Sequence, residues 1–190
     1  MEVEKNMNNS SAKEYLAPVL VLFIICLVVS FALAGTENIT APTIAKIEKE
    51  TADAARAFVL PSGADGFTQY DGELVEGVTE CYVADNQSGI AVTATYKSFG
   101  GTITVMVGVA EDGTVTGVSV TDHADTPGLG TKPMAEDYLQ AQYTGVSELP
   151  ADQIKSDPQV SAITGATVSS NAIYHTVKEA LEQFSAMGGV

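Results

Sequence analysis

The sequence is poor in basic residues. Lys and Arg number 9 against 24 Asp and Glu, which gives a formal net charge of -15 at pH 7. Nucleic-acid binding requires basic patches that neutralise phosphates, so the composition argues against nucleic acid as a partner. There is also no Lys- or Arg-rich run of the kind that binds anionic lipid.

Cysteine and histidine are scarce as well. Cys26 and Cys81 are the two cysteines and lie far apart, which excludes a disulfide framework, a CxxC redox pair and a four-thiolate cluster. The two histidines, His123 and His175, leave little for a zinc site, and we predict no metal site. Any redox chemistry must therefore come from an organic cofactor or from a partner protein.

One segment near the N-terminus, residues 16–35, contains no charged residue. At about 1.5 Å per residue, a helix of this length extends roughly 30 Å, the thickness of the hydrocarbon core of a bilayer. We expect a transmembrane helix here, preceded by a cytoplasmic tail over residues 1–15. Ala32-Leu33-Ala34 also resembles a signal-peptide cleavage site, which leaves a cleaved leader as the alternative.

The chain after this segment divides into a linker helix and a domain. Apolar residues recur at spacings of three and four over residues 43–60, and Pro61 stops the pattern, so we expect a linker helix over residues 36–60. The remaining residues, 61–190, form the predicted extracytoplasmic domain, which begins with a glycine-rich and acidic loop over residues 61–80.

Alternating, β-branched residues then predict an antiparallel meander. Its three strands are Gly89–Lys97, Thr102–Ala110 and Thr114–Asp122. The pairs of glycines and acidic residues between them are typical of hairpin turns.

Helices are predicted after the strands. We expect a short helix over Lys132–Tyr143, a short strand over Val160–Ile163 and a closing amphipathic helix over Ser169–Met187, with His175 on its solvated face. The fold class is therefore α+β: one N-terminal transmembrane helix followed by a small antiparallel-sheet domain with flanking helices.

A small polar turn leads into the closing helix. Thr164, Gly165, Ala166 and Thr167 precede Ser169, and the backbone amides of a helix N-terminus favour an anion such as a phosphate. The alternative is that a serine merely caps the helix. Spacing alone leaves both interpretations open.

A second segment follows the third strand directly, with the sequence Asp-His-Ala-Asp-Thr-Pro-Gly-Leu-Gly over residues 122–130. Its glycines permit close approach of the backbone, and Leu129 is an apolar residue in a polar loop. His123 can donate a hydrogen bond or titrate. The alternative is a tight structural turn around Pro127 and Gly128.

Together, these two segments resemble the FMN-binding domain family. The chain resembles in particular the G subunit of Rnf-type ion-translocating electron-transport complexes and, more distantly, the C subunit of the sodium-pumping NADH:quinone oxidoreductase. The resemblance covers the anchor, the meander, the His-x-Asp-Thr-Pro-Gly-Leu-Gly loop and the Thr-Gly-Ala-Thr turn. The sequence departs from the family pattern where Asp125 stands for the usual Glu and where Ser161 stands for an Asp often found there.

The resemblance implies covalently bound FMN. In the family, the last threonine of the Ser/Thr-Gly-Ala-Thr pattern carries FMN through a phosphoester, and on this chain that residue is Thr167. We expect no catalytic acid or base. The expected cofactor-binding residues are Thr167, Thr164, Gly165, Ala166, Ser169, His123, Thr126, Gly128, Leu129 and Gly130.

The resemblance also implies a role and partners. The expected role is that of a single-pass inner-membrane flavoprotein with its domain on the extracytoplasmic side. It would relay electrons within a complex that couples ferredoxin/NAD electron transfer to Na⁺ or H⁺ translocation. The expected partners are the other membrane and peripheral subunits and a flavin transferase that uses FAD.

Other functions remain open from the sequence. One is an anchored, non-redox binding or scaffold domain in which the Thr-Gly-Ala-Thr turn is only a cap. Another is the equivalent subunit of a sodium-pumping NADH:quinone oxidoreductase. A secreted enzyme with a Ser or Thr nucleophile is disfavoured because there is no Gly-x-Ser-x-Gly elbow.

Overall fold

The computed structural model describes residues 2–63 and 65–189, so the first residue of the predicted tail and the last residue of the predicted domain lie outside it. The chain divides into two compact units, Met1–Glu50 and Thr51–Val190. Helix α1, Glu2–Val59, forms the first unit and enters the second.

Helix α1 contains the candidate membrane span. Within the described part of the chain, one helical segment, in Pro18–Val59, is long and apolar enough to cross a membrane. Leu20, Phe23 and Leu27 are all more than half exposed, as expected for side chains that lipid would cover.

The second unit is built on one five-stranded antiparallel sheet. The strands run in the order β1-β2-β3-β4-β5, so each strand pairs with its neighbour in sequence. Their bounds are β1 Phe67–Gln69, β2 Val78–Ala84, β3 Gly89–Lys97, β4 Thr102–Ala110 and β5 Val115–Asp122. The predicted meander is therefore present as β3, β4 and β5, and β5 begins one residue later than expected.

The prediction of a loop over residues 61–80 is wrong in part, because β1 and the first half of β2 lie there. Strand β2 pairs with β3, and its register shifts between Val78 and Glu80. This irregularity breaks the alternation of buried and exposed residues that identifies a strand from sequence. Strand β2 is held in the sheet by backbone hydrogen bonds to β3, and its side-chain pattern does not predict this pairing.

The expected short strand over Val160–Ile163 is absent from the described residues. The amide of Ser161 donates to Gln142 Oε1 at 2.7 Å, and that of Ile163 donates to Ser170 Oγ at 3.1 Å. Because side chains accept these bonds, the segment does not join the sheet.

Two helices follow the sheet. A 3₁₀ turn at Lys132–Met134 precedes helix α2, Glu136–Tyr143, so the single predicted helix there is divided. Helix α3, Thr167–Met187, begins two residues earlier than expected.

The main core lies between α3, α2 and one face of the sheet. The central strands contribute fully buried aliphatic side chains, and α3 contributes the stripe that its periodicity predicts. The buried residues of α3 in this core are Ala172, Ile173, Tyr174, Val177, Ala180 and Leu181.

His175 does not lie on a solvated face, contrary to the prediction. Its ring stacks on Tyr96 of β3, with ring centroids 4.3 Å apart and an interplanar angle of 7°, and meets Tyr174 edge-on at 5.9 Å. Burial lowers the pKa of His175 below its usual range. The helical pattern could not reveal this contact because its partner is on the sheet.

The end of α1 packs on the opposite face of the sheet. Val59 and Leu60 are fully buried. Gly108 of β4 and Gly117 of β5 are cross-strand partners beneath Val59, and a Cβ at Gly108 would lie 2.1 Å from the Val59 carbonyl oxygen. Because neither glycine has a side chain, the end of the helix can approach the backbone of the sheet closely here.

Arg56 adds a polar contact at this place. Its side chain is 8% exposed and donates to Asp53 Oδ1 at 2.6 Å. Its guanidinium carbon lies 3.7 Å from the ring centroid of Tyr82 in β2, and a nitrogen lies 3.8 Å from Glu80 Oε2. The cation thus joins the last turns of α1 to β2.

We predict that Gly108→Val destabilises the second unit by about 3 kcal/mol, because the new side chain would overlap the backbone of Val59. Thermal unfolding of the detergent-solubilised full chain measures this effect. Thr102→Ala at an exposed position of the same strand is the control, expected within about 0.5 kcal/mol of the wild type. Equal stability of the two variants would contradict the packing described here.

A groove of about 950 Å³ lies between α3, strand β3 and the segment that precedes β2, beside the Tyr96–His175 stack. Glu179 lines it, and its buried Oε2 has no hydrogen-bond partner among the described residues. Burial, together with the carboxylates of Glu182 and Glu76, raises the pKa of Glu179 to about 7.

We predict that Glu179→Gln stabilises the protein above neutral pH. The raised pKa means that ionisation destabilises the folded state increasingly from about pH 4.5 to about pH 7 and by a constant amount above that. The melting temperature should rise by about 2–4 °C at pH 8 and hardly change at pH 4. Glu111→Gln, at an exposed hairpin, is the control, and an equal rise at both pH values would refute the explanation.

Candidate functional site

The site begins at the turn that leads into α3. Gly165 has φ +87°, a left-handed conformation that favours glycine, and the amide of Ala166 donates to the Ile163 carbonyl at 3.0 Å. The Ser170 hydroxyl accepts from the Ile163 amide and donates to the Ala166 carbonyl at 3.0 Å. These bonds fix the turn and make Thr167 the first residue of the helix.

The N-terminus of α3 has no side-chain cap among the described residues. The N-cap residue is Ala166, with φ -127° and ψ 30°. Ser169 and Ser170 lie inside the helix and are 1% exposed. Neither serine therefore caps the helix, which was the alternative interpretation of this turn. The first amides of the helix are therefore available to an anionic group.

The loop after β5 lies beside this turn. Thr126 O accepts from the amides of Leu129 and Gly130, at 3.3 and 2.9 Å. Gly128 has φ +76°, and its amide donates to Thr131 Oγ1 at 2.9 Å. The side chain of Leu129 is 48% exposed, and its Cδ1 would lie 3.5 Å from a Cβ at Gly165. The loop and the turn are thus in contact through Leu129.

Asp125 belongs to the same loop and is only 4% exposed. Its two carboxylate oxygens accept from the Ser98 hydroxyl and from the Gly100 amide in the turn between β3 and β4. Burial by itself raises the pKa of Asp125, but hydrogen bonds from Ser98, Ser169 and Gly100 outweigh it and hold the pKa below its usual value.

These three segments enclose a pocket of about 310 Å³. Its mouth carries three exposed apolar side chains, Phe99 at 77%, Val168 at 52% and Leu129 at 48%. No residue that lines the pocket in the described chain is charged. The lining residues are Phe99, Thr126, Leu129, Gly130, Gly165, Ala166, Thr167, Val168 and Ser169.

The pocket fits the chemistry of FMN. Exposed apolar side chains are costly in water and suit an aromatic ring system, while the uncapped helix N-terminus suits a phosphate. Thr167, which is half-buried, provides a hydroxyl where the two regions meet. Because none of the described lining residues is a cation, the helix N-terminus itself would supply the positive potential for a phosphate.

The structure brings most of the predicted site residues together. Thr126, Leu129 and Gly130 of the loop line the same pocket as Gly165, Ala166, Thr167 and Ser169 of the turn and helix. The other three predicted residues do not line it. Thr164 and His123 are exposed outside the pocket, and Gly128 serves the conformation of the loop.

The sequence interpretation missed Phe99 and Val168. A signal for Phe99 was present, because an aromatic residue between Ser98 and the Gly100-Gly101 pair is not required by a tight turn. Val168 follows Thr167 at the start of the helix but lies off the buried stripe of α3. Both side chains are exposed to solvent at the pocket, and this exposure can be seen only in the folded structure.

Comparison with known proteins agrees with this geometry. A family model described as "FMN-binding domain" matches residues 98–182, which include both the β3–β4 turn and the start of α3. The match therefore spans all three segments that enclose the pocket.

Several curated proteins are similar over most of the chain. The G subunit of the Na⁺-translocating ferredoxin:NAD⁺ oxidoreductase complex of Acetobacterium woodii is 29% identical, over 87% of this chain and 89% of that protein. The G subunit of the proton-translocating ferredoxin:NAD⁺ oxidoreductase complex of Clostridium ljungdahlii is 31% identical, over 88% and 90%. The G subunit of an ion-translocating oxidoreductase complex of Cereibacter sphaeroides is 34% identical, over 87% and 82%.

Two of these relatives are more than 30% identical to this chain over most of its length. The FMN-binding domain match also covers the residues that line the pocket. The chain belongs to the family of the G subunits of Rnf-type ion-translocating oxidoreductase complexes.

Proposed function

We propose that this protein is a membrane-anchored flavoprotein subunit that relays electrons through FMN held by a phosphoester to Thr167. The observation that carries the proposal is the apolar pocket at the uncapped N-terminus of α3, of which Thr167 is the first residue. Family membership supplies the cofactor class, and the position of the Thr167 hydroxyl supports the site of attachment.

The covalent linkage requires a donor and an enzyme. The Thr167 hydroxyl oxygen forms a bond to the flavin-side phosphorus of FAD, the pyrophosphate bond breaks, and AMP leaves while the hydroxyl proton is lost. A flavin transferase is the proposed catalyst. The left-handed turn at Gly165 and the small side chain of Ala166 leave the backbone near Thr167 open to that enzyme.

FMN supplies reversible electron acceptance, and the residues of this chain hold it in place. The helix N-terminus favours the remaining phosphate charge. Leu129, Phe99 and Val168 would cover the ring system and exclude water from it. We assign no catalytic acid or base, because a relay depends on the position and the potential of its cofactor.

The proposed setting is a complex that couples electron transfer between ferredoxin and NAD⁺ to movement of Na⁺ or H⁺. The related subunits named above belong to such complexes. The proposed partners are the other membrane and peripheral subunits. We propose that α1 crosses the inner membrane once and that the domain lies on the extracytoplasmic side.

A non-redox scaffold is the competing function. It requires the turn before α3 to be only a cap, whereas the N-cap residue is Ala166 and no described side chain caps the helix. The match to an FMN-binding domain also favours the flavoprotein.

We predict that Thr167→Ala abolishes covalent flavin attachment. Co-expressed with an active flavin transferase, the wild type should gain the mass of one FMN less water and show in-gel flavin fluorescence after denaturation, whereas the variant should show neither. Thr164→Ala removes an exposed hydroxyl of the same turn and is the matched control, expected to retain the flavin. Labelling of the Thr167 variant, or no labelling of the wild type beside a labelled control substrate, would refute the proposal.

We predict that Leu129→Ala exposes the ring without preventing attachment. Loss of the isobutyl group at the pocket mouth admits water, which stabilises the reduced, more highly charged flavin, so the midpoint potential should rise. Spectroscopic redox titration measures this shift, with Val120→Ala on β5 as a control outside the pocket. If the potential and the electron-transfer rate both stay unchanged, Leu129 does not contact the ring.

A further inference from the structure

Three segments that are distant in sequence enclose the pocket, and two of them meet at one buried carboxylate. The turn between β3 and β4 carries Phe99, the loop after β5 carries Leu129, and α3 begins at Thr167. None of these pocket residues is bonded to another by a side-chain hydrogen bond within the described chain, so something else must fix their separation. Asp125, a residue of the loop itself, is the polar group whose carboxylate binds the β3–β4 turn.

We propose that Asp125 is the positioning residue of the pocket. Its carboxylate holds the Phe99-bearing turn against its own loop, which also carries Leu129, and Asp125 does not itself line the pocket. One oxygen accepts from the Ser98 hydroxyl and the other from the Gly100 amide, so the donors lie on both sides of Phe99. This residue therefore fixes the direction of the aromatic side chain.

Close backbone packing around Asp125 supports this role. A Cβ at Gly100 would lie 2.1 Å from the Ala124 carbonyl oxygen and 2.7 Å from Asp125 Cα. A Cβ at Gly130 would lie 2.9 Å from Asp125 Cβ. The two glycines therefore let the turn and the far end of the loop both approach Asp125 closely.

The link continues to α3. Leu129, held by the loop that closes at Gly130, lies against Gly165 in the turn before the helix. Charge-assisted hydrogen bonds of a buried carboxylate are strong and directional, which suits a residue that sets the geometry of others.

The first test uses the flavin-free full chain in detergent and does not depend on the proposed function. In Asp125→Ala the Gly100 amide loses its acceptor, so hydrogen exchange over residues 98–101 should accelerate about ten-fold or more while the β3–β4 ladder stays protected. Ser98→Ala removes a single donor and is expected to fold, with a smaller acceleration at the same amides.

Asp157→Ala is the matched control. Asp157 is also a buried carboxylate, 6% exposed, and accepts from Tyr174 at 2.8 Å and from the Gln159 amide at 2.8 Å, away from the pocket. It should leave exchange over residues 98–101 unchanged. Unchanged exchange in both Asp125→Ala and Ser98→Ala would overturn the proposal, and so would an equal acceleration in Asp157→Ala.

The second test concerns the consequence for the cofactor and rests on the proposed function. With the flavin attached, iodide quenching of its fluorescence should rise about two-fold or more in Asp125→Ala and remain at the wild-type value in Asp157→Ala. Asp125→Asn keeps an oxygen that can accept from the Gly100 amide and should restore part of the protection. Equal quenching in wild type and Asp125→Ala would overturn the positioning role, whereas a wild type that never acquires flavin would refute the proposed function and leave the exchange test standing.

Discussion

The packing of α3 on one face of the sheet is the constraint on which the rest of this domain depends. Ile173, Tyr174 and Val177 are buried against the central strands, so the helix cannot rotate or slide without exposing apolar surface. This fixes the helix N-terminus beside the β3–β4 turn and the loop after β5. A site that combines a helix terminus with two loops becomes possible only because the core holds the helix in this register.

The electrostatics of the pocket differ from those of the protein as a whole. The net charge of -15 would repel a phosphate at long range, and no charged side chain lines the pocket. The amides at the start of α3 act at short range, where the helix dipole is strongest. A covalent attachment is consistent with this arrangement, because a phosphoester does not rely on ionic affinity to retain the cofactor.

The opposite face of the sheet contacts the end of α1. Val59 lies over the glycine pair Gly108 and Gly117, and Arg56 stacks on Tyr82, so the last turns of α1 belong to the same compact unit as the strands. One face of the sheet thus packs against α3 in the main core, and the other face packs against the end of α1. In this electron-transfer flavoprotein subunit, both faces of the sheet are therefore covered by helical residues of the same compact unit.

The sequence by itself determined the apolar segment of α1, the strands β3 to β5, the stripe of α3 and the two motifs that meet at the pocket. Each of these depends on a local period or a local turn, which neighbours in sequence are sufficient to specify. It did not determine β2, whose irregular pairing hides the alternation, nor the stacking of His175 on Tyr96. It also could not reveal Phe99 at the pocket mouth, because the pocket exists only once α3 has packed on the sheet beside the β3–β4 turn. Nor could it reveal that Ser98 and Gly100 donate to Asp125, because about 25 residues separate the donors from the carboxylate and the folded sheet brings them together.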